Sequence, residues 1–388
     1  MLDKSYSTFQ PKLRESITSS TLTSASTAVI KHQPTRLSKL LYPTKAPLTN
    51  SPGSASLIAD TIYQKYVLKV PAYRQEKDLR RMGLPLDHKT VSNWHIKVCE
   101  YYLSSLYELL RKELLKLDVI HADETPYRVL DSERAKDYIW TFLSGKHAEK
   151  PIALYHQGSR KGAEAWDFLT GFSGYLHCDQ YPGYLRLSQQ DVTLVGCMAH
   201  ARRKFHDSLP KRESDATSVA NQGIHYCNQM FSLESAWEDL SAEERYEKRQ
   251  SQLRPLLEKF SDWCSKKLIF VLPSGKLGTA FQYCIKHMDK FMNILKDGRL
   301  ELSNNRAERA VKEIVMGRKN WLFSQSSTGA KSMTIIMSIL ETAKQNGLDQ
   351  FKYINYLLDK LPNELSLSDN QRLEAYLPWA ENVKLHCK

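Results

Sequence analysis

The stretch DVIHADETPYRVL, residues 118–130, opens a run of short apolar segments and decides the predicted fold class. The run continues with DYIWTFLSG (137–145), PIALYHQG (151–158), GYLHCDQY (174–181) and VTLVGCMAH (192–200). Each segment is rich in β-branched and aromatic residues, which is typical of strands. A helix-like segment, KGAEAWDFLTGF (161–172), separates the third from the fourth. This order predicts a mixed α/β fold in which helices pack against a mixed sheet.

The segments before this region are predicted to be helical. Between residues 55 and 116, three segments place apolar residues three and four positions apart. Gly83 closes the second segment, and Asp87 is a suitable N-cap for the third. Helix, short glycine-containing turn and helix are typical of a helix-turn-helix DNA-binding motif, although a hairpin that only packs has the same pattern. In the DNA-binding alternative, the recognition helix would begin with Lys89, Thr90, Ser92 and Asn93.

Composition narrows the class of protein. The 388 residues are enough for two or three domains. Lys and Arg number 55 against 43 Asp and Glu, a formal net charge of +12 that indicates a polyanionic partner such as nucleic acid, or a basic protein without one. No stretch approaches the roughly 18 apolar residues of a membrane span. The seven cysteines form no CxxC pair, which favours a reducing cytoplasm over a disulfide framework.

Three acidic residues stand out by their positions. Asp123 and Asp179 each follow an apolar strand segment, and Glu308 lies in the helix-like segment LSNNRAERAVKEI. Converging carboxylates repel one another unless a divalent cation holds them, and such oxygen donors suit Mg²⁺ or Mn²⁺ better than zinc. Each residue also has a simpler explanation, because Asp123 could cap a turn and Glu308 could pair with a neighbouring base on its helix.

Five ordered motifs carry a resemblance to a known family. They are VIHADETP (119–126), YLHCDQYPGY (175–184), GCMAHARRKFHD (196–207), LSNNRAERAVKEIVMGRKNWLFS (302–324) and GLDQFKYINYLLDKLP (347–362). Together they resemble the IS66 family of bacterial transposases from about residue 52 to the C-terminus. The resemblance implies a DDE transposase with a ribonuclease-H-like catalytic core, whose three acids would be Asp123, Asp179 and Glu308. It also implies an insertion between the second and third acids.

The resemblance gives a domain organisation and a function. Residues 1–54 would be a poorly ordered arm, and residues 55–116 a helix-turn-helix-like DNA-binding region. The catalytic core would consist of residues 117–209 and of residues 299–346, which carry the Glu-bearing helix, with an α-helical insertion at 210–298 between them. Residues 347–388 would form a helical tail. The enzyme would cleave transposon ends and transfer the freed strand into target DNA, with two Mg²⁺ or Mn²⁺ ions. The resemblance further implies a homo-oligomer that joins two DNA ends, accessory proteins of the same element, and action at the bacterial nucleoid. A DNA-binding remnant without catalytic activity is the alternative.

Basic residues beside the acids are candidates for DNA contact. The predicted set is Arg202, Arg203, Lys204, Arg306, Arg309, Lys312, Arg318, Lys319 and Trp321. Cations bind phosphates and an aromatic ring can stack on a splayed base, but a solvated basic helix followed by a core tryptophan has the same sequence.

Three further features remain open. Cys197 and His200 form a CxxH pair, for which packing is favoured over metal binding because two ligands are a weak zinc signal. Asn304 either shares the face of Glu308 or caps its helix, and Ser303 would also serve as an N-cap. Members of the family commonly carry a cysteine-rich, zinc-finger-like segment near the N-terminus, whereas residues 1–98 contain no cysteine. Either the lineage lacks this segment or the N-terminal sequence is altered, which leaves recognition of the transposon ends in question.

Overall fold

The computed structural model describes residues 47–134, 136–189, 191–209 and 218–388. Residues 1–46 of the arm predicted for residues 1–54 lie outside the described residues. Within its last part Leu48 is buried, and the Tyr102 hydroxyl donates a hydrogen bond to the Pro47 carbonyl over 2.6 Å. None of the described helices is long and apolar enough to cross a membrane.

Among the described residues, four α-helices precede the sheet. They are α1 (Ala55–Tyr66), α2 (Ala72–Arg81), α3 (His88–Val98) and α4 (Ser104–Leu114). Asp87 caps α3, since its carboxylate accepts a hydrogen bond from the Lys89 amide. Gly83 follows the end of α2 with a φ of 84°, a conformation that favours glycine. Both predicted helix ends are therefore confirmed.

Five strands form one mixed sheet in the order β3-β2-β1-β4-β5. The strands are β1 (Val119–Tyr127), β2 (Asp137–Ser144), β3 (Ala153–Gly158), β4 (Gly174–His177) and β5 (Val192–Val195). β2 is antiparallel to both β1 and β3, whereas β4 runs parallel to β1 and β5 runs parallel to β4. The five strands and the mixed α/β class predicted from the sequence are confirmed.

Helices connect and cover the strands. The α-helices between β3 and residue 298, where the predicted insertion ends, are α5 (Gly162–Phe168), α6 (Met198–Asp207), α7 (Val219–Ala236), α8 (Ala242–Lys248), α9 (Arg254–Leu268), α10 (Lys276–Lys286) and α11 (Met288–Met292). The C-terminal helices are α12 (Asn305–Trp321), α13 (Ser327–Gln345), α14 (Gln350–Lys360), α15 (Asn370–Glu374) and α16 (Glu381–Cys387). Residues 210–217 of the predicted insertion lie outside the described residues.

Apolar side chains form two separate cores. The first joins the N-terminal helices, the sheet and the C-terminal helices, with Ile58, Trp140 and Ile336 fully buried. The second joins α6 to the helices α7, α9, α10 and α11 and includes Val119 of β1 and Val195 of β5, and Phe205 and Phe260 are fully buried in it. Since burial of apolar surface is the main stabilising contribution in folding, the α7–α11 region is stabilised largely by a core that it shares with α6.

The edge strand β3 is hydrogen-bonded to α13 through side chains. The Tyr155 amide donates to the Ser338 hydroxyl over 2.8 Å, and the Ala153 amide donates to the Thr342 hydroxyl over 3.1 Å. The Thr342 hydroxyl in turn donates to the Ala153 carbonyl over 3.0 Å. These hydroxyls satisfy backbone groups that a further strand would otherwise pair with.

The opposite edge, β5, is covered by the segment around α11. The Asn293 side-chain amide donates to the Leu194 carbonyl over 2.8 Å. Just beyond the strand, the Gly196 amide donates to the Lys290 carbonyl over 3.0 Å. Both edges of the sheet are thus bonded to other parts of the same chain.

Candidate active site

Asp123 lies in β1, and Asp179 lies two residues beyond the end of the neighbouring parallel strand β4. His121 of β1 and His177 of β4 are register partners, and their rings stack with centroids 4.2 Å apart. Each aspartate lies two residues beyond one of these histidines, Asp123 still within β1 and Asp179 just after β4. The parallel pairing of β1 and β4 therefore brings the two carboxylates to one end of the sheet.

The pKa of Asp123 shows that the acids interact. Burial, followed by the charges of Glu124 and Asp179, raises the pKa of Asp123 to about 8. A hydrogen bond from the Glu124 amide opposes this rise, and the Glu308 carboxylate adds to it. Asp179 and Glu308 therefore both lie close enough to Asp123 to raise its pKa.

Asn304 fixes the start of the helix that carries Glu308. It takes the N-cap position of α12, but its side chain bonds elsewhere: the amide donates to the Ala122 carbonyl over 2.7 Å. Its side-chain oxygen lies 3.0 Å from His121 Nδ1, and its backbone amide donates to Cys197 Sγ over 3.2 Å. Asn304 thus ties α12 to β1 beside Asp123, and it is Asn304 rather than Ser303 that takes the N-cap position.

The Glu308 carboxylate faces helix α6. Its Oε1 lies 3.3 Å from His200 Nε2, and its Oε2 lies 3.6 Å from an Arg203 guanidinium nitrogen. The first contact lacks hydrogen-bond geometry, so Oε1 is a buried oxygen without a hydrogen-bond partner among the described residues. Ligand atoms of Cys197, His200 and Glu308 all lie within 4.8 Å of one another, whereas the three acids do not form such a group in the described part of the chain.

A buried histidine network supports the strand ends. His121 Nε2 lies 3.0 Å from a Glu301 carboxylate oxygen, and the Glu301 amide donates to His177 Nε2 over 3.2 Å. Burial acts to raise the pKa of Glu301, but His121, Arg306 and Lys146 outweigh it and lower the pKa. The network holds β1, β4 and the segment before α12 in a fixed relation.

Residues on the other side of β1 extend the site, and the sequence analysis did not identify them. Glu124 accepts a hydrogen bond from the Tyr184 hydroxyl over 3.0 Å and pairs with Arg160 over 3.2 Å. Burial and the Asp179 charge raise the pKa of Glu124, against the effect of these bonds. The Arg160 guanidinium lies 4.5 Å from the ring centre of Tyr181. The adjacent acid in the DE pair and the YPGY motif were the signals that could have identified this group.

The predicted helix-turn-helix residues lie at the start of α3. Lys89 and Asn93 are exposed, Thr90 and Ser92 are half-buried, and Trp94 is buried in the first core. Helix α2 presents further exposed cations that the sequence analysis did not assign, namely Arg74, Lys77, Arg80 and Arg81.

The other predicted DNA-binding residues fall into two groups. On α6, Arg202 is hydrogen-bonded to Asn228 over 2.7 Å, Lys204 lies 4.7 Å from the ring centre of Tyr283, and Arg203 is the exposed base beside Glu308. On α12, the three cations Arg306, Arg309 and Lys312 line a groove of about 570 Å³. Lys146 and Lys344 line the same groove.

The end of α12 mixes exposed and packed residues. Lys319 is exposed, and Arg318 donates to the Pro126 carbonyl. Trp321 is half-buried: its indole N–H donates to the Tyr127 hydroxyl over 3.2 Å, and its ring meets Tyr66 edge-on at 5.9 Å. These contacts favour the packing alternative for Trp321.

Comparison with known proteins identifies the family. The family model described as Transposase IS66 family matches residues 50–332, and that of the IS66 C-terminal element matches residues 338–379. Among curated proteins, the uncharacterized proteins y4hP and y4qI of Sinorhizobium fredii (strain NBRC 101917 / NGR234) are 26% and 27% identical over 84% and 83% of the chain. The chain spans 61% and 62% of the length of these relatives. No solved structure matches it. The two family models together span most of the chain, which therefore belongs to the IS66 family of transposases.

Proposed function

We propose that this chain is a DDE transposase that cleaves transposon ends and joins them to target DNA. The mixed sheet would be a ribonuclease-H-like catalytic core, and Asp123, Asp179 and Glu308 would be its catalytic acids. The observation that carries the proposal is the placement of Asp123 on β1 and of Asp179 just beyond the parallel strand β4, where burial and nearby carboxylates, both other acids included, raise the pKa of Asp123 to about 8. Transposase families act through nuclease and transesterase chemistry, and a cluster of carboxylates with a raised pKa is expected at such an active site.

The donor set fits hard divalent cations. Carboxylate oxygens are the ligands that Mg²⁺ and Mn²⁺ prefer, and Glu308 offers a buried oxygen without a hydrogen-bond partner among the described residues. Asp123 and Asp179 would be shared ligands, and Glu308 would complete the set from α12. A pair of ions bound there would supply activation of the attacking oxygen and stabilisation of the leaving oxygen. Two ions do not require all three carboxylates to meet at one point.

The side chains around the acids would position the DNA strand. In the first step water attacks the phosphorus at the transposon end and the P–O3′ bond breaks, which frees a 3′-hydroxyl. In the second step this hydroxyl attacks a phosphorus of the target and the target P–O3′ bond breaks, so that a target 3′-hydroxyl leaves and no covalent protein intermediate forms. Arg160 has half of its side-chain surface exposed beside Glu124 and is suited to contact a phosphate oxygen near the reacting group.

Phosphate contacts would provide most of the affinity for DNA. The exposed cations Lys89, Arg203, Arg309, Lys312 and Lys319 are spread over α3, α6 and α12. Neutralising several phosphates releases counterions, so binding should weaken steeply as the salt concentration rises. A homo-oligomer, accessory proteins of the same element and a cytoplasmic, nucleoid-associated location are further parts of the proposal.

The deciding experiment uses DNA ends taken from the flanks of the gene. Purified protein is incubated with these ends in Mg²⁺ or Mn²⁺, and nicking and joining are measured beside Asp179→Asn. We expect both reactions in the wild type and a loss of about 10³-fold or more in the variant. Asp191→Asn is the matched control, because this exposed aspartate lies just before β5 and away from the acids.

Each alternative has its own result in this assay. Binding without metal-dependent cutting would identify a catalytically disabled remnant. Cutting without joining would identify a nuclease. Unchanged nicking in Asp179→Asn would refute the assignment of the acids.

A second experiment tests the helix-turn-helix region. Asn93→Ala should weaken binding to the transposon ends by about tenfold without a change in melting temperature, because Asn93 is exposed at the start of α3. Trp94→Ala should instead lower the melting temperature, because Trp94 is buried. Retained end binding in Asn93→Ala would favour a helical hairpin that only packs.

A further inference from the structure

Cys197 and His200 converge on Glu308, one of the three acids, from the side of α6. Cys197 lies just after β5 and takes the N-cap position of α6, His200 follows within the first turn, and Glu308 comes from α12. One ligand atom from each residue lies within 4.8 Å of the others. Two elements distant in sequence therefore bring a thiol, an imidazole and a carboxylate to one place.

These three donors suit a different ion from that of the aspartates. Thiolate and imidazole are the ligands that zinc prefers, and three protein ligands with a water at the fourth position make a common open zinc site. At metal–ligand distances of about 2.0–2.3 Å, tetrahedral ligands lie roughly 3.3–3.8 Å apart. His200 Nε2 and Glu308 Oε1 are already 3.3 Å apart, and the Cys197 sulfur, within 4.8 Å of both, would move toward them on binding.

The surroundings of the donors are consistent with a site that can be reached. Cys197 is fully buried, and its sulfur accepts a hydrogen bond from the Asn304 amide over 3.2 Å. His200 and Glu308 each keep 24% of their side-chain surface exposed, which leaves an entry path. Arg203 contacts the other Glu308 oxygen, but 57% of its side chain is exposed, so it can move away when a cation binds.

We propose that Cys197, His200 and Glu308 bind Zn²⁺ or a similar thiophilic divalent ion, with water as the fourth ligand. Binding there holds Glu308 toward α6 and removes it from the set of catalytic acids. Zinc therefore inhibits Mg²⁺-dependent cleavage, a consequence that rests on the proposed function, whereas the binding site itself does not.

Binding is tested with Co²⁺, a spectroscopic substitute for zinc, on the full chain under reducing conditions. The wild type should give the thiolate-to-cobalt charge-transfer band and the visible bands of tetrahedral cobalt, and stoichiometric Zn²⁺ should remove them. Cys197→Ser should lose the charge-transfer band and bind at least about tenfold more weakly. Cys99→Ser is the matched control, since Cys99 is equally buried and its thiol donates to the Ser332 carbonyl, which a serine hydroxyl can also do.

The outcomes separate the site from other cysteines. Absence of the charge-transfer band in the wild type, or the same band in Cys197→Ser, would overturn the proposal. If Cys197→Ser does not fold, as judged by circular dichroism, His200→Asn takes its place: weaker binding with retention of the thiolate band supports the site, and unchanged affinity refutes it.

The inhibitory role is tested by nicking in Mg²⁺ at increasing Zn²⁺ concentration. The wild type and Cys99→Ser should be inhibited, and Cys197→Ser should need at least about tenfold more zinc. Equal inhibition of all three would refute this role. A chain that binds cobalt through Cys197 but never cuts DNA would disprove the proposed function and leave the metal site standing.

Discussion

Two groups of buried charge in this chain have opposite properties. In the α7–α11 region, the Arg249 side chain is fully buried and forms two bonds to the Glu234 carboxylate, over 2.8 and 2.6 Å. Its remaining bonds go to the carbonyls of Ile294, Asp297 and Leu300, over 3.3, 2.7 and 2.7 Å. The charge is neutralised by an acid, and the guanidinium N–H groups are directed at acceptors.

At the end of the sheet, by contrast, buried carboxylates lie close to one another and repel. Burial and neighbouring carboxylates hold the pKa of Asp123 at about 8, and one Glu308 oxygen has no hydrogen-bond partner among the described residues. Arg249 serves to join helices, because satisfying it stabilises the fold. The acids are kept at a cost in stability, which is typical of groups retained for binding a cation and for catalysis.

The largest effect is expected from Glu308→Gln. The amide keeps the shape of the side chain but removes a ligand charge, so metal-dependent nicking should fall by about 10³-fold or more while the melting temperature is unchanged or higher. Glu313→Gln is the control on the same helix, since Glu313 pairs with Lys69 over 2.8 Å and with Lys344 over 3.7 Å. Equal loss in both variants would mean that the conflict of charges at Glu308 has no special role.

A smaller effect, on folding rather than chemistry, is expected from Arg249→Met. Removal of the arginine leaves Glu234 and three carbonyls without their donor, which should lower the free energy of unfolding by about 3–5 kcal/mol. Urea denaturation followed by circular dichroism measures the loss. Glu234→Gln should cost less, because the amide oxygen still accepts from Arg249. A loss below about 1 kcal/mol for Arg249→Met would show that this buried pair does not hold the region together.

The smallest effect is a pH dependence of stability in metal-free protein. The pKa of Asp123 is raised on folding, from 3.8 to about 8, so its stabilising contribution is present below pH 4 and is lost as the pH rises through 8. In EDTA, Asp123→Asn should therefore melt higher than the wild type by about 2–5 °C at pH 8.5, and the difference should vanish near pH 4. Thermal unfolding at several pH values measures it, and Mg²⁺ should reduce the difference at high pH. A difference that does not vary with pH would contradict the raised pKa.

The strands and the position of two acids could be predicted because they depend on local patterns. Alternating apolar residues and turn residues identify β1 to β5, and an acid after a strand segment identifies Asp123 and Asp179. Glu308 was singled out by its helix but gained its role only from the resemblance, since nothing local relates it to residues more than 120 positions earlier.

The rest of the site depends on contacts between distant segments. Asn304 bonds to Ala122, 182 positions away, and no periodicity reveals that pairing. Packing was favoured over metal binding for Cys197 and His200, because the sequence shows only two ligands, whereas the third donor comes from α12. Glu124 was overlooked because the pairing partners that bury it, Tyr184 and Arg160, follow from the fold.

The hydroxyl contacts of α13 along β3 and the side-chain cover on β5 have a consequence for assembly. Several backbone groups on both edges are already bonded within the chain, so extension of the sheet by a strand of another copy is disfavoured, and aggregation by the same route is reduced. Any complex that holds two DNA ends is therefore expected to form through helices and through the DNA itself. A chain that ended before Ser338 would lose this protection and expose β3 to intermolecular strand pairing.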